Sequence, residues 1–209
     1  MDEAKSLFRE ILGVEGWIEQ GLAARWMAME ARPHVSVIFE TNRLVARAMT
    51  LADLDVVAGW LADPEVMRHY PRRYDRAEVE AWVRRSIATQ ASHGYGRWLM
   101  VDRLDGRPVG QVGLLPPRHR EIADPEVVWM IDRARWREGL ATEAASATLA
   151  HAFGPLAIPR LVALIRPENA ASAGVAAKLG MTRAGQVVQL DLRHDVYAID
   201  RPAVTADRP

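Results

Sequence analysis

A run of small residues, Gly139-Leu140-Ala141-Thr142, has the pattern of a phosphate-binding segment, because it follows a predicted strand and opens a predicted helix. The N–H groups at a helix N-terminus lack partners within the helix, and the helix macrodipole favours negative charge beside them. Gly139 lets the backbone come close to a ligand, and the small side chain of Ala141 keeps the approach clear. An ordinary strand–turn–helix connection has the same pattern, so this segment alone does not identify a site.

A second group of polar residues follows the next predicted strand of the same sheet. Asn169 lies between that strand and a predicted helix, and Ser172 follows one helical turn later. Taken alone, Asn169 is best explained as a helix N-cap, a role that Asn fills well. Ligands of α/β sheets enter at the carboxyl ends of the strands, and both segments lie at such ends. Together the two segments predict one binding site.

The elements that position this site follow from hydrophobic periodicity and turn residues. Strands are predicted where short apolar runs end at turn residues, and helices where apolar residues recur at helical spacing behind a capping residue. The predicted strands are 43–49, 98–104, 109–115, 126–132, 160–166, 187–192 and 196–199, and the predicted helices begin at about Thr50, Asp75, Gly139 and Ala170. The order β-αα-βββ-α-β-α-ββ predicts an α/β fold on a mixed sheet.

Residues 41–200 resemble the GNAT superfamily of acetyl-CoA-dependent N-acetyltransferases. The resemblance is carried by the element order and by two motifs, Trp136-Arg137-Glu138-Gly139-Leu140-Ala141-Thr142-Glu143-Ala144 and Asn169-Ala170-Ala171-Ser172 with Lys178-Leu179-Gly180-Met181. The motifs are similar to those of the ribosomal-protein N-terminal (alanine/serine) acetyltransferases. The resemblance implies a mixed, mostly antiparallel sheet that is splayed at the cofactor site and flanked by helices.

The same resemblance implies where acetyl-CoA binds. The cofactor would lie between strands 126–132 and 160–166, with its pantetheine arm paired to main chain near Met130 and Ile131 and touching Asn169. Its pyrophosphate would rest on the loop residues Arg137, Glu138, Gly139, Leu140, Ala141 and Thr142. Ser172 would lie near the thioester sulfur, which makes it a candidate catalytic acid.

Three positions depart from the family pattern. Related sequences carry Gly where Arg137 stands and a basic residue where Glu138 stands, and a carboxylate beside a pyrophosphate is unfavourable unless Arg135 or Arg137 offsets it. Many GNAT enzymes have a tyrosine acid where Ala176 stands, so Ser172 or a water would have to protonate the leaving thiolate. These departures leave an alternative open: a catalytically inactive acetyl-CoA-binding sensor or interaction module.

The acceptor amine must be neutral to attack a thioester. At pH 7 an α-amine with a pKa near 8 is about 10% neutral, whereas a lysine amine with a pKa near 10.4 is about 0.04% neutral. An α-amine therefore needs only modest help from a general base. Glu126, at the start of the strand beside the cofactor, is the first candidate for this base. His194 and Asp195, on the last hairpin, are weaker candidates.

Acceptor contacts are expected from the linker between the first two helices, from the segment before the second predicted strand and from the last hairpin. The candidate acceptor-binding residues are His69, Tyr70, Arg72, Tyr95, Trp98 and Asp195. Arginine pairs bidentately with carboxylates, so Arg72 and Arg73 favour an acidic acceptor, although paired arginines are also common on solvated surfaces. A protein N-terminus, an amino acid, a polyamine and an aminoglycoside all remain open as acceptors.

The composition argues against several other functions. The 209 residues include 27 Lys and Arg and 27 Asp and Glu, and this zero net charge gives no attraction to nucleic acid or anionic membranes. The absence of cysteine excludes disulfides and thiolate nucleophiles, and the spacing of the six histidines predicts no metal site. No apolar run is long enough to span a bilayer, so we expect a cytoplasmic protein.

Three regions are predicted along the chain. Residues 1–40 form an N-terminal helical extension, residues 41–200 form the acetyltransferase-like domain, and residues 201–209 form a loose tail. Glycines interrupt the helical stripe between Leu7 and Leu22, so this stripe needs a packing surface on its own domain or on a second subunit. A homodimer is therefore one expectation. The internal Met27 and Met29 also allow a start site further along the chain.

Overall fold

A computed structural model describes residues 36–203, and its central feature is one eight-stranded sheet with helices on both faces. The strands are β1 (Val37–Glu40), β2 (Leu44–Ala48), β3 (Arg97–Asp102), β4 (Pro108–Leu115), β5 (Glu126–Ile131), β6 (Arg160–Ile165), β7 (Thr182–Gln189) and β8 (Leu192–Asp200). Their order in the sheet is β1-β2-β3-β4-β5-β6-β8-β7. Only the central β5–β6 pair is parallel among the paired strands of this part of the chain, which confirms the predicted mixed, mostly antiparallel sheet.

Four α-helices of the described segment form the outer layers. They are α1 (Leu54–Ala62), α2 (Arg76–His93), α3 (Leu140–Phe153) and α4 (Ala170–Lys178), and short 3-10 helices lie at Leu51–Asp53 and Arg133–Arg135. The predicted capping box of Asp75 and Glu78 begins α2, and Gly94, with φ +73°, ends it. Alternate residues of the central strands face the two helical layers, so the parity of a residue decides which layer it meets.

The start of α1 is fixed to the sheet by a buried ion pair. Asp53 accepts hydrogen bonds from both terminal nitrogens of Arg47 at 2.9 and 2.6 Å, and it also accepts one from the Thr50 N–H at 2.8 Å. Burial raises the pKa of Asp53, but the hydrogen bonds from Arg47 and Thr50 outweigh it and hold the pKa below its ordinary value. Since Arg47 belongs to β2, the pair orients α1 and the linker that follows it.

The first strand lies inside the segment that the sequence assigned to a helical extension. β1 spans Val37–Glu40 and pairs antiparallel with β2, so the sheet begins before the predicted boundary at residue 41. β1 lies at the edge of the sheet, and its Val37 is 56% exposed. Because a short, exposed edge strand has no clear alternation of apolar and polar residues, the sequence pattern did not indicate it. The predicted helical stripe and residues 204–209 of the predicted tail lie outside the described residues.

The last hairpin turns at a different place from the predicted one. The sequence predicted strands 187–192 and 196–199, whereas the structure turns at Leu190 and Asp191, between β7 and β8. Both turn residues have positive φ, 52° and 58°, a conformation usually marked by Gly or Asn. His194 and Asp195, which the sequence placed in the turn, instead lie within β8 and face opposite sides of the sheet.

The sheet opens between its two central parallel strands. β5 and β6 are in register at Glu126 and Val162, and the Val162 N–H donates to the Pro125 carbonyl at 3.0 Å. Towards their carboxyl ends the two strands diverge. The gap that results lies beside the N-termini of α3 and α4, where both predicted motifs are located. Within residues 36–203, no helix combines the length and apolar character that crossing a membrane requires.

Candidate active site

Main-chain groups of alternate β5 residues face the gap. The Pro125 carbonyl bonds towards β6, whereas the Asp132 N–H bonds to a β4 carbonyl at 2.9 Å. Because the main-chain groups of successive strand residues point to opposite edges, those of Trp129 and Ile131 face the gap and those of Met130 face β4. Ile131 therefore fits the expected pairing with a pantetheine arm. Met130 can contact a ligand there only through its side chain.

Trp136 fixes the segment that leads from β5 to α3. Its indole Nε1–H donates to the Ile131 carbonyl at 2.8 Å, so this carbonyl is already satisfied and the Ile131 N–H is the group that remains directed at the gap. The guanidinium of Arg68 lies 5.9 Å from the centre of the indole ring. The tryptophan thereby connects the end of β5 with the linker after α1.

The N-terminus of α3 opens into a cavity of about 560 Å³, here named the loop cavity. Its N-cap is Gly139, with φ +79° and no side-chain cap, so the first-turn N–H groups are left for a ligand. The loop cavity is lined by Glu65, Val66, Arg68, His69, Tyr70, Trp129, Met130, Ile131, Arg135, Trp136, Arg137, Gly139, Leu140, Ala141, Thr142, Asn169, Ala171, Ser172, Val175 and Lys178. The arrangement suits a long anionic ligand whose phosphates rest on the helix start.

A clamp from the β1–β2 turn holds this helix start in place. Glu143, in the first turn of α3, accepts hydrogen bonds from the Thr41 hydroxyl and the Arg43 Nε, both at 2.6 Å. Arg43 also donates to the Glu138 carbonyl at 2.9 Å. Burial raises the pKa of Glu143, but the bonds from Thr41 and Arg43 outweigh it and lower the pKa overall. This clamp was not predicted from the sequence, because its partners lie about a hundred residues apart.

The carboxylate of Glu138 is turned away from the loop cavity. Its two oxygens accept from the Arg135 Nε at 2.9 and 3.0 Å, and a terminal nitrogen of Arg135 also reaches Asp102 at 3.0 Å. The hydrogen bond from Arg135 lowers the pKa of Glu138, so this carboxylate is ionised and paired. Of the two arginines considered for offsetting it, Arg135 does so. Glu138 therefore places no uncompensated charge beside a bound pyrophosphate, and of its groups only the backbone is near the site.

Arg137 occupies the left-handed region of φ/ψ space, with φ +67°. This conformation costs an L-residue with a side chain roughly 1–2 kcal/mol and costs glycine almost nothing. It explains why related sequences carry glycine at the corresponding position. In this chain the arginine side chain lines the loop cavity and adds a positive charge to it.

Replacing Arg137 with Gly is expected to raise the free energy of unfolding by about 0.5–1 kcal/mol, because it removes the strain but adds unfolded-chain entropy. The midpoint of thermal unfolding would rise by roughly 1–4 °C for a chain of this length. Arg137→Ala is the matched control, since it removes the same charge and keeps the strained backbone. A midpoint for Arg137→Gly clearly below that of Arg137→Ala would show that φ at this position carries no strain, because glycine would then add only unfolded-chain entropy.

A second cavity of about 260 Å³ lies on the α1–α2 side of the gap and is named the sheet cavity. It is lined by Leu61, His69, Tyr70, Pro71, Tyr74, Trp82, Arg85, Arg97, Gln111, Arg118, Glu126, Val127, Val128, Trp129, Met130, Ala163, Leu164, Ile165, Arg166, Asn169, Ser172, Gln189, Leu190, Leu192 and His194. The two cavities share His69, Tyr70, Trp129, Met130, Asn169 and Ser172. The two cavities therefore adjoin at these residues.

Asn169 and Ser172 lie where the cavities meet. The Asn169 Oδ1 accepts from the Ser172 N–H at 3.1 Å, so Asn169 caps α4, which was the simpler of its two interpretations. Both residues also line both cavities. The cap uses the amide oxygen, so the amide nitrogen of Asn169 and the hydroxyl of Ser172 are the groups that can address a ligand.

Glu126 is the single carboxylate among the side chains that line the sheet cavity. Its side chain is 13% exposed, and one oxygen lies 2.7 Å from a terminal nitrogen of Arg118. His194 lines the same cavity, and burial lowers its pKa despite the hydrogen bond to the Leu192 carbonyl, so its neutral form predominates at pH 7. Glu126 and His194 are therefore two groups in the sheet cavity that are able to accept a proton.

Tyr70 also reaches both cavities. The residue as a whole is 43% exposed, but burial of the phenol end among Arg97, Glu126 and Tyr74 raises the pKa of its hydroxyl. The hydroxyl therefore stays protonated at neutral pH and can donate a proton. His69, its neighbour, lines both cavities as well, and burial together with the nearby Arg68 lowers the pKa of its imidazole.

Four of the predicted acceptor contacts lie away from the sheet cavity. Arg72 is paired with Glu78 at the start of α2, with its guanidinium over the Tyr74 ring. Tyr95 packs against the core on the α3 side, and Trp98 is completely buried in that core. Asp195 accepts hydrogen bonds from Arg183 and Gln186, both at 2.7 Å.

The physical reason is strand parity in two of these cases. Trp98 and Asp195 each point to the sheet face opposite the cavity, while their neighbours Arg97 and His194 point into it. Arg97 and the buried Gln111 were missed. Each is a polar residue in a strand that is otherwise mostly apolar, RWLMVD for β3 and PVGQVGLL for β4, and this isolated polar character is the signal that could have indicated them.

Comparison with known proteins gives a family match across this site. Residues 43–182 match the sequence profile of the acetyltransferase (GNAT) domain. The uncharacterized protein YkkB of Bacillus subtilis (strain 168) is 33% identical over 142 residues, which cover 68% of this chain and 83% of that relative. The uncharacterized N-acetyltransferase YoaA of the same organism is 26% identical over 175 residues, covering 79% of this chain and 97% of YoaA.

Solved structures share the fold. An acetyltransferase from Agrobacterium tumefaciens str. C58 superposes with a TM-score of 0.69 at 26% identity, covering 77% of this chain and 92% of that one. A ribosomal L7/L12 alpha-N-protein acetyltransferase solved in complex with coenzyme A has a TM-score of 0.66 at 19% identity, covering 79% of this chain and 98% of that one. Among the described residues, no cluster of His, Cys, Asp and Glu could hold a metal ion.

Proposed function

The chain belongs to the GNAT acetyltransferase family, and from this premise we propose that it moves an acetyl group from acetyl-CoA to a primary amine held in the sheet cavity. The observation that carries the proposal is the meeting of the two cavities at the gap between β5 and β6. An uncapped helix N-terminus lies on one side of this gap, and a carboxylate lies on the other.

In this proposal the loop cavity holds acetyl-CoA. The pyrophosphate lies on the N–H groups of residues 137–142, near the positive side chains of Arg68 and Arg137. The Ile131 N–H pairs with the pantetheine arm or polarises the thioester carbonyl, while the Asn169 amide contacts the arm. The buried methyl of Ala144 keeps the first turns of α3 packed against the sheet.

The reaction requires a base on the acceptor side and an acid on the cofactor side. Glu126 takes a proton from the attacking amine, directly or through a water, as the amine nitrogen bonds to the thioester carbon. The carbon–sulfur bond then breaks, and the leaving thiolate takes a proton from the Ser172 or the Tyr70 hydroxyl. Both hydroxyls belong to residues that line the two cavities, and the raised pKa of Tyr70 keeps its proton available.

One observation favours the alternative of a non-catalytic acetyl-CoA sensor. Ala176, which replaces the family's tyrosine acid, is completely buried and offers no group to the thiolate. The pairing of Glu138 with Arg135 removes the other argument for this alternative. Turnover therefore depends on whether Ser172 or Tyr70 supplies the proton. The acceptor class also belongs to the proposal: a protein N-terminus, as in the ribosomal-protein enzymes of similar fold, or a small amine.

Titration with acetyl-CoA tests the proposal at its first step. Ligand at a hundred times its Kd stabilises a protein by about 2.7 kcal/mol, which is roughly 5–10 °C in the unfolding midpoint for this length. Release of free thiol from acetyl-CoA in the presence of an amine panel then reports catalysis. A thermal shift without thiol release would support the sensor. No shift at millimolar acetyl-CoA would contradict both functions.

A further inference from the structure

Arg97 is a half-buried cation that forms no ion pair within the part of the chain that the structure describes. Its guanidinium faces the sheet cavity and stacks 4.6 Å from the centre of the Trp82 ring. Among residues 36–203, no carboxylate lies within salt-bridge distance of it, although fifteen such pairs occur in that part of the chain. Burial, with a smaller contribution from Arg118, lowers its pKa to about 10, so it remains charged at pH 7.

The charges around Arg97 are unbalanced. Arg85, Arg118 and Arg166 also line the sheet cavity, and Glu126 is the single acidic side chain among the residues that line it. Glu126 is already paired with Arg118. Arg166 is paired with Glu168, which lies outside the wall, so Arg97 and the exposed Arg85 are the lining arginines without a carboxylate partner among residues 36–203. A partly desolvated cation without such a partner is costly, and a ligand anion is the group that would offset this cost.

Gln111 adds a second unsatisfied group to the same wall. It is 4% exposed, and its Oε1 has no hydrogen-bond partner within residues 36–203. The register pairs Gln111 with Leu99, so Arg97 lies diagonally across from Gln111 on the same face of the sheet. Such diagonal neighbours are roughly 7–8 Å apart. A guanidinium and an amide oxygen at this separation match a small molecule that carries an anion and an N–H donor.

We propose that the acceptor is a small amine that also bears a carboxylate or phosphate, with its anion bound by Arg97 and its amine directed towards Gln111 and Glu126. This inference rests on the proposed acetyl transfer and specifies its substrate class. Arg97 is then the residue that determines specificity. Polyamines and aminoglycosides are excluded as preferred acceptors, because the cavity would bring their charges against Arg97 and Arg85, which have no carboxylate partner among residues 36–203.

The test compares anionic and neutral amines in the wild type and in Arg97→Met. β-Alanine and O-phosphoethanolamine carry the two anions, ethanolamine carries none, and spermidine is the cationic probe. Binding of each is measured calorimetrically with coenzyme A present, and kcat/KM is measured with acetyl-CoA. We expect the wild type to prefer one of the anionic amines over ethanolamine by about tenfold or more, the range of a hydrogen bond to a charged group. The better of the two identifies the anion.

In Arg97→Met this preference should disappear through a rise in KM, while the acetyl-CoA thermal shift stays unchanged. Arg97→Lys, which retains the charge but not the stacking on Trp82, should recover part of the preference; if methionine merely disturbs packing on Trp82, lysine would recover none of it. Arg84→Met, an exposed α2 arginine paired with Glu80, is the matched control and should behave as wild type. A retained acetyl-CoA shift with no preference for anionic amines, or with no binding of either, overturns this inference alone. Loss of that shift in the wild type instead contradicts the proposed function.

Discussion

Gly139→Glu is expected to abolish the stabilisation by acetyl-CoA, so that the thermal shift of roughly 5–10 °C disappears. The substitution places a carboxylate at the N-cap of α3, where the pyrophosphate would accept hydrogen bonds from the helix N–H groups. A Cβ at this position meets nothing closer than a terminal nitrogen of Arg43, at 3.7 Å, so the new side chain has room and a cationic partner. It therefore competes directly with the ligand for the same positive region.

The control for this prediction is Gly139→Ala. The backbone at residue 139 has φ +79°, so alanine introduces the same strain, roughly 1–2 kcal/mol, without a charge. We expect Gly139→Ala to unfold at a lower temperature than the wild type and still to show an acetyl-CoA shift. If Gly139→Glu is folded and shows the wild-type shift, acetyl-CoA does not use this helix start.

Glu126→Gln is expected to lower kcat by about 10²-fold, the lower end of what a positioned general base contributes. Glutamine keeps the size of the side chain and a hydrogen bond to Arg118, but it cannot accept a proton from the amine. Because Glu126 lies on the acceptor side of the gap, the thermal shift with acetyl-CoA should be unaffected. Initial rates with a saturating amine, measured beside the thermal shift, separate the two effects.

Glu121→Gln is the matched control for Glu126→Gln. Glu121 is exposed and does not line either cavity, so its loss changes the net charge equally and should leave kcat near the wild-type value. His194→Gln tests the competing base, because His194 is held neutral in the same cavity. A full rate in Glu126→Gln together with a large loss in His194→Gln would transfer the role to His194.

The sequence predicted the elements of this fold that local chemistry determines. The capping box of Asp75 and Glu78 and the uncapped Gly139 before α3 are local patterns, and the structure has both at the predicted places. The gap between β5 and β6 came from a family resemblance and could not be derived from either strand alone. The turn at Leu190 was placed wrongly, because a leucine with positive φ gives no local signal.

The candidate site was predicted less well on its acceptor side, for reasons of parity and distance. Successive strand residues face opposite helical layers. An error of one position therefore selects Trp98, which is buried in the core, instead of Arg97, which lines the sheet cavity. Two side chains that are paired in the structure were predicted to be free to bind the acceptor. Arg72 is paired with Glu78, and Asp195 is paired with Arg183 of β7. Such contacts join residues that the order of the sequence does not bring together, so only the folded chain shows them.

The shared wall of the two cavities has a kinetic consequence. Trp129 and Met130 border both cavities, so in the proposed function the thioester and the amine would adjoin there. The chain contains no cysteine to carry the acetyl group between half-reactions. In the proposed direct attack on the thioester, both reactants occupy the enzyme together, so we expect double-reciprocal plots at several amine concentrations to intersect rather than run parallel. The divergence of the two strands thus predicts a sequential rather than a ping-pong rate law.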